Sequence, residues 1–180
     1  MNRMKMVMVY MGGHVSGGHY NPAVSLAVML RGKLSTAELV PYWIAQIVGA
    51  LLAALTVRAA AGGTFAPAPA ATASSLGVYL MEFLFTFALC LVVLNAATAS
   101  GTEGNSFFGL AIGFTVLVGA FAGGPISGGA FNPAVGIGPI LADSLLGQGS
   151  AGNLWIYLVF PLLGGAAAAW VFKVQNPGDA

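Results

Sequence analysis

Two stretches of the chain, GGHVSGGHYNPAVSLAVML at residues 12–30 and GGPISGGAFNPAVGIGPIL at 123–141, are nearly the same segment written twice. They align without a gap, and ten of the nineteen positions are identical. Each copy carries Asn-Pro-Ala directly after a glycine-rich run. A match of this quality indicates a duplicated structural unit rather than two glycine-rich turns of similar composition.

The composition around the two copies is typical of an integral membrane protein. The 180 residues are 58 % hydrophobic and only 6 % charged, whereas a soluble domain carries about a quarter charged residues. Six Lys and Arg against five Asp and Glu give no basic field for nucleic acid, and one cysteine excludes a disulfide framework. So few titratable groups leave little material for an enzyme, a metal centre or a cofactor site, and none of these is expected.

Long uncharged runs indicate the membrane crossings, because a spanning helix needs about 20 mostly apolar residues. A linker rich in Pro, Ala and Ser at 59–75 separates the first such run from the second. Gly109 and Gly113 form a small-residue pair of the kind that lets helices pack closely. The predicted organisation is one domain over 1–180, comprising a span remnant at 1–11, the first motif loop and short helix at 12–30, spans at 38–58, 76–98 and 106–122, the second motif loop and short helix at 123–142, and a span at 153–173.

Three spans lie between the two copies, so the copies enter the membrane from opposite faces. The second copy is apolar but too rich in Gly and Pro for a helix facing lipid. Non-helical backbone at membrane depth must be buried in protein or line a wet cavity. The sequence therefore predicts an inverted repeat of re-entrant segments, with a solute site near the membrane midplane.

The basic residues orient this arrangement in the membrane. Three of them flank one face, and Arg58 alone flanks the other. The three are Arg31, Lys33 and Lys173. Under the positive-inside rule, the first motif enters from the cytoplasmic side.

The motifs Asn21-Pro22-Ala23 and Asn132-Pro133-Ala134 are predicted to start short helices, because Asn is a favoured N-cap and Pro a favoured first helical residue. Two helices meeting at their N-termini present dipole ends of about +0.5 charge each, which disfavour cations and protons. The Asn amides would donate hydrogen bonds to a neutral solute. The preceding loops are predicted to line the pore with backbone carbonyls of Gly17, Gly18, His19, Tyr20, Gly128, Gly129, Ala130 and Phe131.

Two copies of SG-x-x-x-NPAV around three spans resemble the major intrinsic protein family, the aquaporins and aquaglyceroporins, for whose pores a half-helix barrier to protons is a known property. The resemblance extends over YWIAQIVGALLA at 42–53, MEFLFTF at 81–87 and WIYLVFPLLGGAAAA at 155–169. It implies an all-α membrane fold of six spans and two half-helices. It also implies a homotetramer in a cell membrane, in contact with lipid, water and small neutral solutes.

The chain departs from the family pattern at its start and at its pore filter. Members have one span and most of a second before the first motif, where this chain has residues 1–20, so it is identified as an N-terminally truncated member lacking those elements. Val135 stands where the family usually has Arg. The other readable filter positions are Ala120 and Gly129, and the fourth falls near Met1. Small uncharged residues at these positions imply a wider and more apolar constriction.

Three further residues are candidates for support of the loops. Glu82 lies mid-membrane, where an ionisable group is costly, and the resemblance implies that it braces the second loop. His14 is expected to form hydrogen bonds within the first loop. His19 is expected either to do the same or to line the inner vestibule.

These features predict a passive channel for water and small uncharged solutes such as glycerol, urea, ammonia or neutral metalloid acids. Water and polyols are not separated, because Gly136, Tyr157 and Leu158 stand where glycerol facilitators usually have Asp and a Pro plus aliphatic pair. One alternative is a non-conducting truncated remnant that associates with full-length subunits. Another is a secondary transporter with inverted repeats, but the sequence lacks the intramembrane charges that ion coupling needs.

Overall fold

The computed structural model describes residues 2–147 and 149–179, and the side chains of these residues from Met6 onward. Over these ranges the chain is helical, without strands, and short 3-10 helices lie in three of its connections and tails. The α-helices are α1 (Asn2–Ser16), α2 (Pro22–Leu30), α3 (Thr36–Ala61), α4 (Ser75–Ala97), α5 (Phe108–Ala122), α6 (Gly124–Ser127), α7 (Pro133–Leu146) and α8 (Leu154–Gln175).

Capping residues explain where the long helices begin and end. Ser35 and Glu38 form a capping box: the Glu38 N–H donates to Ser35 Oγ at 3.2 Å, and the Ser35 N–H donates to Glu38 Oε2 at 3.1 Å. Helix α3 therefore begins two residues before the predicted 38, and it ends at Ala61, followed by Gly62 with a φ of 74°. Ser74 Oγ accepts from the Gly77 N–H at 3.1 Å and sets the start of α4.

Helix α1 is longer than the predicted remnant at 1–11. It continues to Ser16, so the loop before the first motif shortens to 17–21. The sequence predicts a loop at Gly12, but this residue lies in helix α1. A Cβ at Gly12 would overlap the hydroxyl of Tyr20. A methyl group there would require the Tyr20 hydroxyl to move, so this glycine allows close packing rather than a turn.

Three helices are long and apolar enough to cross a membrane within the described ranges, namely α3, α4 and α8. The predicted span at 106–122 forms α5, which has 15 residues and is about 22 Å long at 1.5 Å per residue. Only Gly123 separates it from the single turn of α6. The predicted second loop at 123–142 is thus partly helical at its start, and its half-helix α7 runs on to Leu146.

The glycine pair on α5 is a contact surface for α1. A Cβ at Gly109 would lie 2.8 Å from the ring of Tyr10, and one at Gly113 would lie 2.6 Å from the Cβ of Met6. The Tyr10 ring and the Met6 Cβ thus occupy the space that the two glycines leave open. The pair serves packing within one chain.

The half-helices α2 and α7 lie between the long helices. Helix α2 packs mainly on α8, and α7 packs mainly on α3, while α4 and α8 share the most extensive helix contact. Gly165 of α8 lies against the backbone of Ala23, where a Cβ would be 2.6 Å from the carbonyl oxygen. On the other side, a Cβ at Gly138 of α7 would lie 2.6 Å from the carbonyl carbon of Ala50.

An ion pair joins the ends of α2 and α8. Arg31 Nη2 lies 3.3 Å from Asp179 Oδ1, and the guanidinium lies 4.8 Å from the ring centre of Phe172. The Ser100 N–H also donates to Asp179 at 2.8 Å, and this hydrogen bond lowers the pKa of the carboxyl. The end of α2 and the tail after α8 therefore lie at the same face of the molecule, for which the basic residues predict a cytoplasmic location.

Candidate functional site

The two Asn-Pro-Ala motifs meet at the centre of the molecule. Asn21 Nδ2 donates to the Phe131 carbonyl at 2.9 Å, and Asn132 Nδ2 donates to the Tyr20 carbonyl at 2.8 Å. Both asparagines are 1 % exposed. Each motif thus holds the loop of the other by one amide hydrogen, and the N-termini of α2 and α7 face each other.

Each asparagine also caps its own half-helix. Asn21 Oδ1 accepts from the Ala23 N–H at 2.9 Å, and Asn132 Oδ1 accepts from the Ala134 N–H at 3.0 Å. The prediction that each motif begins a helix is confirmed, with the prolines as first helical residues. An amide nitrogen carries two hydrogens, and the contact across the motifs uses one of them. Within the described residues, no hydrogen bond engages the second hydrogen of either Asn.

The loops before the motifs share one backbone path. Tyr20 and Phe131 both have a φ of 47°, in the left-handed region that side-chain-bearing residues rarely adopt. The glycines at equivalent positions have positive φ in both copies: Gly17 (78°), Gly18 (62°), Gly128 (90°) and Gly129 (66°). The Tyr20 and Phe131 carbonyls, predicted to line the pore, each accept an asparagine amide hydrogen from the opposite motif.

Glu82 of α4 accepts three hydrogen bonds from the second loop. Its Oε1 accepts from Ser127 Oγ at 2.7 Å and from the Ala130 N–H at 3.1 Å, and its Oε2 accepts from the Phe131 N–H at 2.7 Å. The side chain is fully buried. A carboxylate is suited to this position, because it is the side chain that accepts several donors on both oxygens.

The first loop is held by a tyrosine that sequence reasoning missed. Tyr42 Oη donates to the Ser16 carbonyl at 2.8 Å and accepts from the His19 N–H at 3.1 Å. In the other half, Tyr157 Oη donates to the Ser127 carbonyl. Ser16 and Ser127 are equivalent positions of the repeat, so the repeat extends to α3 and α8. A trace of this equivalence is present in the sequence, since Tyr42 and Tyr157 each stand seven residues before a glycine, but this spacing does not by itself indicate a contact with a loop.

The two histidines occupy different surroundings. His14 is an exposed residue of α1, and within the described part of the chain no hydrogen bond to its side chain is found. Its predicted role within the loop therefore has no contact behind it. His19 is half-buried, and its Nδ1 lies 3.1 Å from Ser25 Oγ. It lines a cavity together with His14, and its predicted place in the inner vestibule stays a prediction.

A cavity of about 600 Å³ opens beside the first loop. Its walls are α1, α4 and α5, together with Val24 of α2 and the chain between α4 and α5. Of the predicted carbonyl residues it contacts those of the first loop, Gly17, Gly18, His19 and Tyr20. Lys33 and Asp179 lie at its rim. The cavity is large enough for several water molecules or a small organic solute.

The predicted filter residues do not line this cavity. Ala120 is half-buried on α5, and the Gly129 N–H donates to Ser127 Oγ at 3.2 Å. Val135 is partly buried and packs against a cluster that includes Tyr157 and Ala130. These three positions lie in the half of the molecule that contains the second loop.

The linker between α3 and α4 also contacts the second loop, which sequence reasoning did not anticipate. The Ala70 N–H donates to the Ile126 carbonyl at 3.0 Å. A Cβ at Gly128 would lie 2.7 Å from the backbone nitrogen of Ala68. The composition of the linker predicted only an extramembrane connection, because nothing local in a Pro/Ala-rich segment indicates where it folds back.

The sequence matches a known protein family. The family model described as major intrinsic protein matches residues 3–172. The chain belongs to this family. Its predicted fold class, an all-α inverted repeat with two re-entrant half-helices, is confirmed by a solved structure as well. The X-ray structure of the aquaglyceroporin from Plasmodium falciparum superposes with a TM-score of 0.84, covering 95 % of this chain and 78 % of that chain at 23 % identity.

Plant members of the major intrinsic protein family are similar in sequence. Aquaporin NIP1-1 of Zea mays is 38 % identical over 171 residues, which are 94 % of this chain and 58 % of the relative. Nodulin-26 of Glycine max is 35 % identical over 175 residues, or 96 % of this chain and 62 % of the relative. The chain thus spans less than two thirds of the length of these curated relatives.

Proposed function

We propose that the protein is a passive channel for water and small uncharged solutes, acting as a homotetramer in a cell membrane. The observation that carries the proposal is the reciprocal bonding of Asn21 and Asn132. It places two positive helix ends and two free amide hydrogens at one point. A neutral molecule that accepts hydrogen bonds is stabilised there, whereas a cation is repelled by both helix ends.

The solute range follows from the filter positions. Ala120, Gly129 and Val135 carry neither bulk nor charge, so nothing at these positions excludes a molecule larger than water by size or by a fixed positive charge. Glycerol, urea, ammonia and neutral metalloid acids are therefore proposed as solutes beside water.

The first test is stopped-flow light scattering on proteoliposomes that contain the full 180-residue chain. We expect fast shrinkage in an impermeant osmolyte, because water crosses the pore, and fast re-swelling in glycerol. Protein-free liposomes of the same lipid are the control. Shrinkage no faster than in the control contradicts the proposal.

A non-conducting subunit that associates with longer channels is the second candidate. Helix α3 favours it, because it buries only Leu39 and Ala54, whereas α8, its equivalent in the repeat, buries eight residues. The apolar side chains that α3 exposes include Val40, Ile44 and Val48. Two results together support this candidate. Liposomes that contain this chain alone shrink slowly, and liposomes that contain this chain and a longer family member shrink faster than liposomes with the longer member alone.

The filter assignment is tested by Val135→Arg. The guanidinium adds bulk and a fixed charge at the constriction, so we expect glycerol permeability to fall about tenfold and water permeability to fall less, by about threefold. Val135→Met is the matched control, since it adds length without charge or hydrogen-bond donors. Equal loss of both fluxes, or no change in either, contradicts the assignment of Val135 to the filter.

A further inference from the structure

A polar network occurs in one half of the repeat only. His19, Ser25 and Gln46 lie together at the first motif. His19 and Ser25 align directly with residues of the second copy. Gln46 is matched to Pro161, because each stands four residues after the equivalent tyrosine, Tyr42 or Tyr157. The equivalent residues of the second half are Ala130, Gly136 and Pro161. None of these three has a polar side chain. The repeated fold therefore forms without such a network in its second half, and the network of the first half has a role other than forming the fold.

Ser25 is the centre of the network. Its hydroxyl is fully buried on α2 and accepts from Gln46 Nε2 at 2.9 Å. Its hydrogen points to the Asn21 carbonyl, 3.2 Å away. A hydroxyl has one hydrogen and two lone pairs, so the remaining lone pair faces His19 Nδ1 at 3.1 Å. In the Nδ1–H tautomer the imidazole donates to this lone pair, and the Ser25 hydrogen stays on the Asn21 carbonyl.

The state of Nδ1 decides what Nε2 can do. A neutral imidazole protonated at Nδ1 leaves Nε2 as an acceptor. Nε2 lies beside Gly17, where a Cβ would be 3.1 Å away. Within the described residues, Nε2 has no hydrogen-bond partner. It differs from Arg31 Nε and Gln46 Oε1, which also have no partner but are fully buried. Nε2 is therefore not enclosed, and His19 lines the 600 Å³ cavity beside the first loop.

The ring of His19 is also fixed in orientation. Tyr42 packs against it with ring centres 4.9 Å apart, and the Tyr42 hydroxyl accepts from the His19 N–H. The side chain and backbone of His19 are thus held by two different elements, α2 and α3. An acceptor held in this way is preorganised for a solute, because little freedom is lost when the solute binds.

We propose that Ser25 and Gln46 are positioning residues that hold His19 in its Nδ1–H tautomer, so that Nε2 forms an acceptor subsite for uncharged solutes that donate O–H or N–H hydrogen bonds. The inference rests on the proposed channel function and deepens it. The asparagines at the motif junction donate to a solute, whereas His19 accepts from it. A solute that has both donors and acceptors, such as urea or a polyol, can therefore form hydrogen bonds with His19 and with the asparagines.

The tautomer is measured by nitrogen-15 NMR on the full chain in lipid bilayers, with labelled histidine, at about pH 8.5, above the usual pKa of histidine. A His14→Gln background leaves His19 as the single imidazole signal. We expect a protonated, pyrrole-type Nδ1 and an unprotonated, pyridine-type Nε2. Ser25→Ala is expected to populate the other tautomer, and Ser25→Thr to restore the first one by returning the hydroxyl.

Ser144→Ala is the matched control, because it removes a hydroxyl from the other half-helix, where Ser144 Oγ donates to the Leu141 carbonyl. It should leave the His19 signals unchanged. A wild-type spectrum with Nε2 protonated overturns the proposal, even if Ser25→Ala does not fold. An unchanged tautomer in folded Ser25→Ala overturns the role of Ser25.

The subsite is tested by adding urea to the same samples. We expect the Nε2 resonance to shift with urea concentration while Nδ1 stays in place, and we expect the shift to be lost in Ser25→Ala. A resonance that urea does not move overturns the subsite. This readout needs no transport, so liposomes that fail to conduct would contradict the channel function and leave the result for His19 standing.

Discussion

Replacing Glu82 with glutamine is expected to lower the free energy of unfolding by about 3 kcal/mol or more and to abolish water flux. The carboxylate accepts from Ser127 Oγ and from the N–H groups of Ala130 and Phe131. Glutamine has one accepting oxygen, and its NH₂ group would face at least one of these donors. A buried donor then loses its acceptor, and the hydrogen bonds that remain lose the contribution of the charge.

The loss of flux follows from the position of Phe131. Its N–H donates to Glu82, and its carbonyl accepts from Asn21 of the opposite motif. Movement of this residue therefore breaks the junction of the two half-helices.

The measurements for Glu82→Gln are the midpoint of thermal unfolding in detergent and the shrinkage rate of proteoliposomes. Glu103→Gln is the control, because it makes the same chemical change at an exposed carboxylate in the loop between α4 and α5. It should match the wild type in the midpoint of thermal unfolding. If Glu82→Gln also matches the wild type, the three hydrogen bonds do not hold the second loop.

Gly165→Ala is expected to lower the free energy of unfolding by about 2 kcal/mol and to reduce water flux strongly. The added Cβ would lie 2.6 Å from the carbonyl oxygen of Ala23. That neighbour is backbone inside a half-helix, so it has no rotamer that relieves the overlap. Helices α2 and α8 must move apart, and α2 carries the Asn21 cap with it.

The control for Gly165→Ala is Gly49→Ala on α3. Gly49 is also a glycine inside a long helix, but nothing lies within 4 Å of a Cβ at this position. We expect its unfolding midpoint to stay the same or rise slightly, since alanine is the better helix former. Equal behaviour of the two variants, measured by thermal unfolding and by water flux, would show that the α2–α8 contact tolerates a methyl group.

Local signals in the sequence were sufficient for the repeat and for the start of each half-helix. The capping contact of Asn132 joins residues two positions apart, so its physics is contained in the motif itself. The same reasoning erred at the end of α1. Gly12 looks like a loop residue in isolation, and only the packing of Tyr20 against it shows why a helical glycine stands there.

The support of the loops divides in the same way. Glu82 could be selected from the sequence, because an ionisable group at membrane depth is costly and needs partners. Tyr42 and Gln46 could not, because aromatic and amide side chains on a spanning helix are ordinary and carry no comparable cost. His14 was expected to form hydrogen bonds within the first loop, because its imidazole can donate and accept, but the rotation of α1 leaves it exposed.

By itself, the sequence determined that this protein lies in a membrane, that it is an inverted repeat, and that each copy has a helix starting at Asn-Pro-Ala. Each of these follows from composition or from contacts between near neighbours. Only the tertiary structure decided which groups meet, because the bond from Asn21 to Phe131 spans 110 positions and that from Asn132 to Tyr20 spans 112. Such contacts depend on how the helices are rotated and packed, which no local pattern specifies.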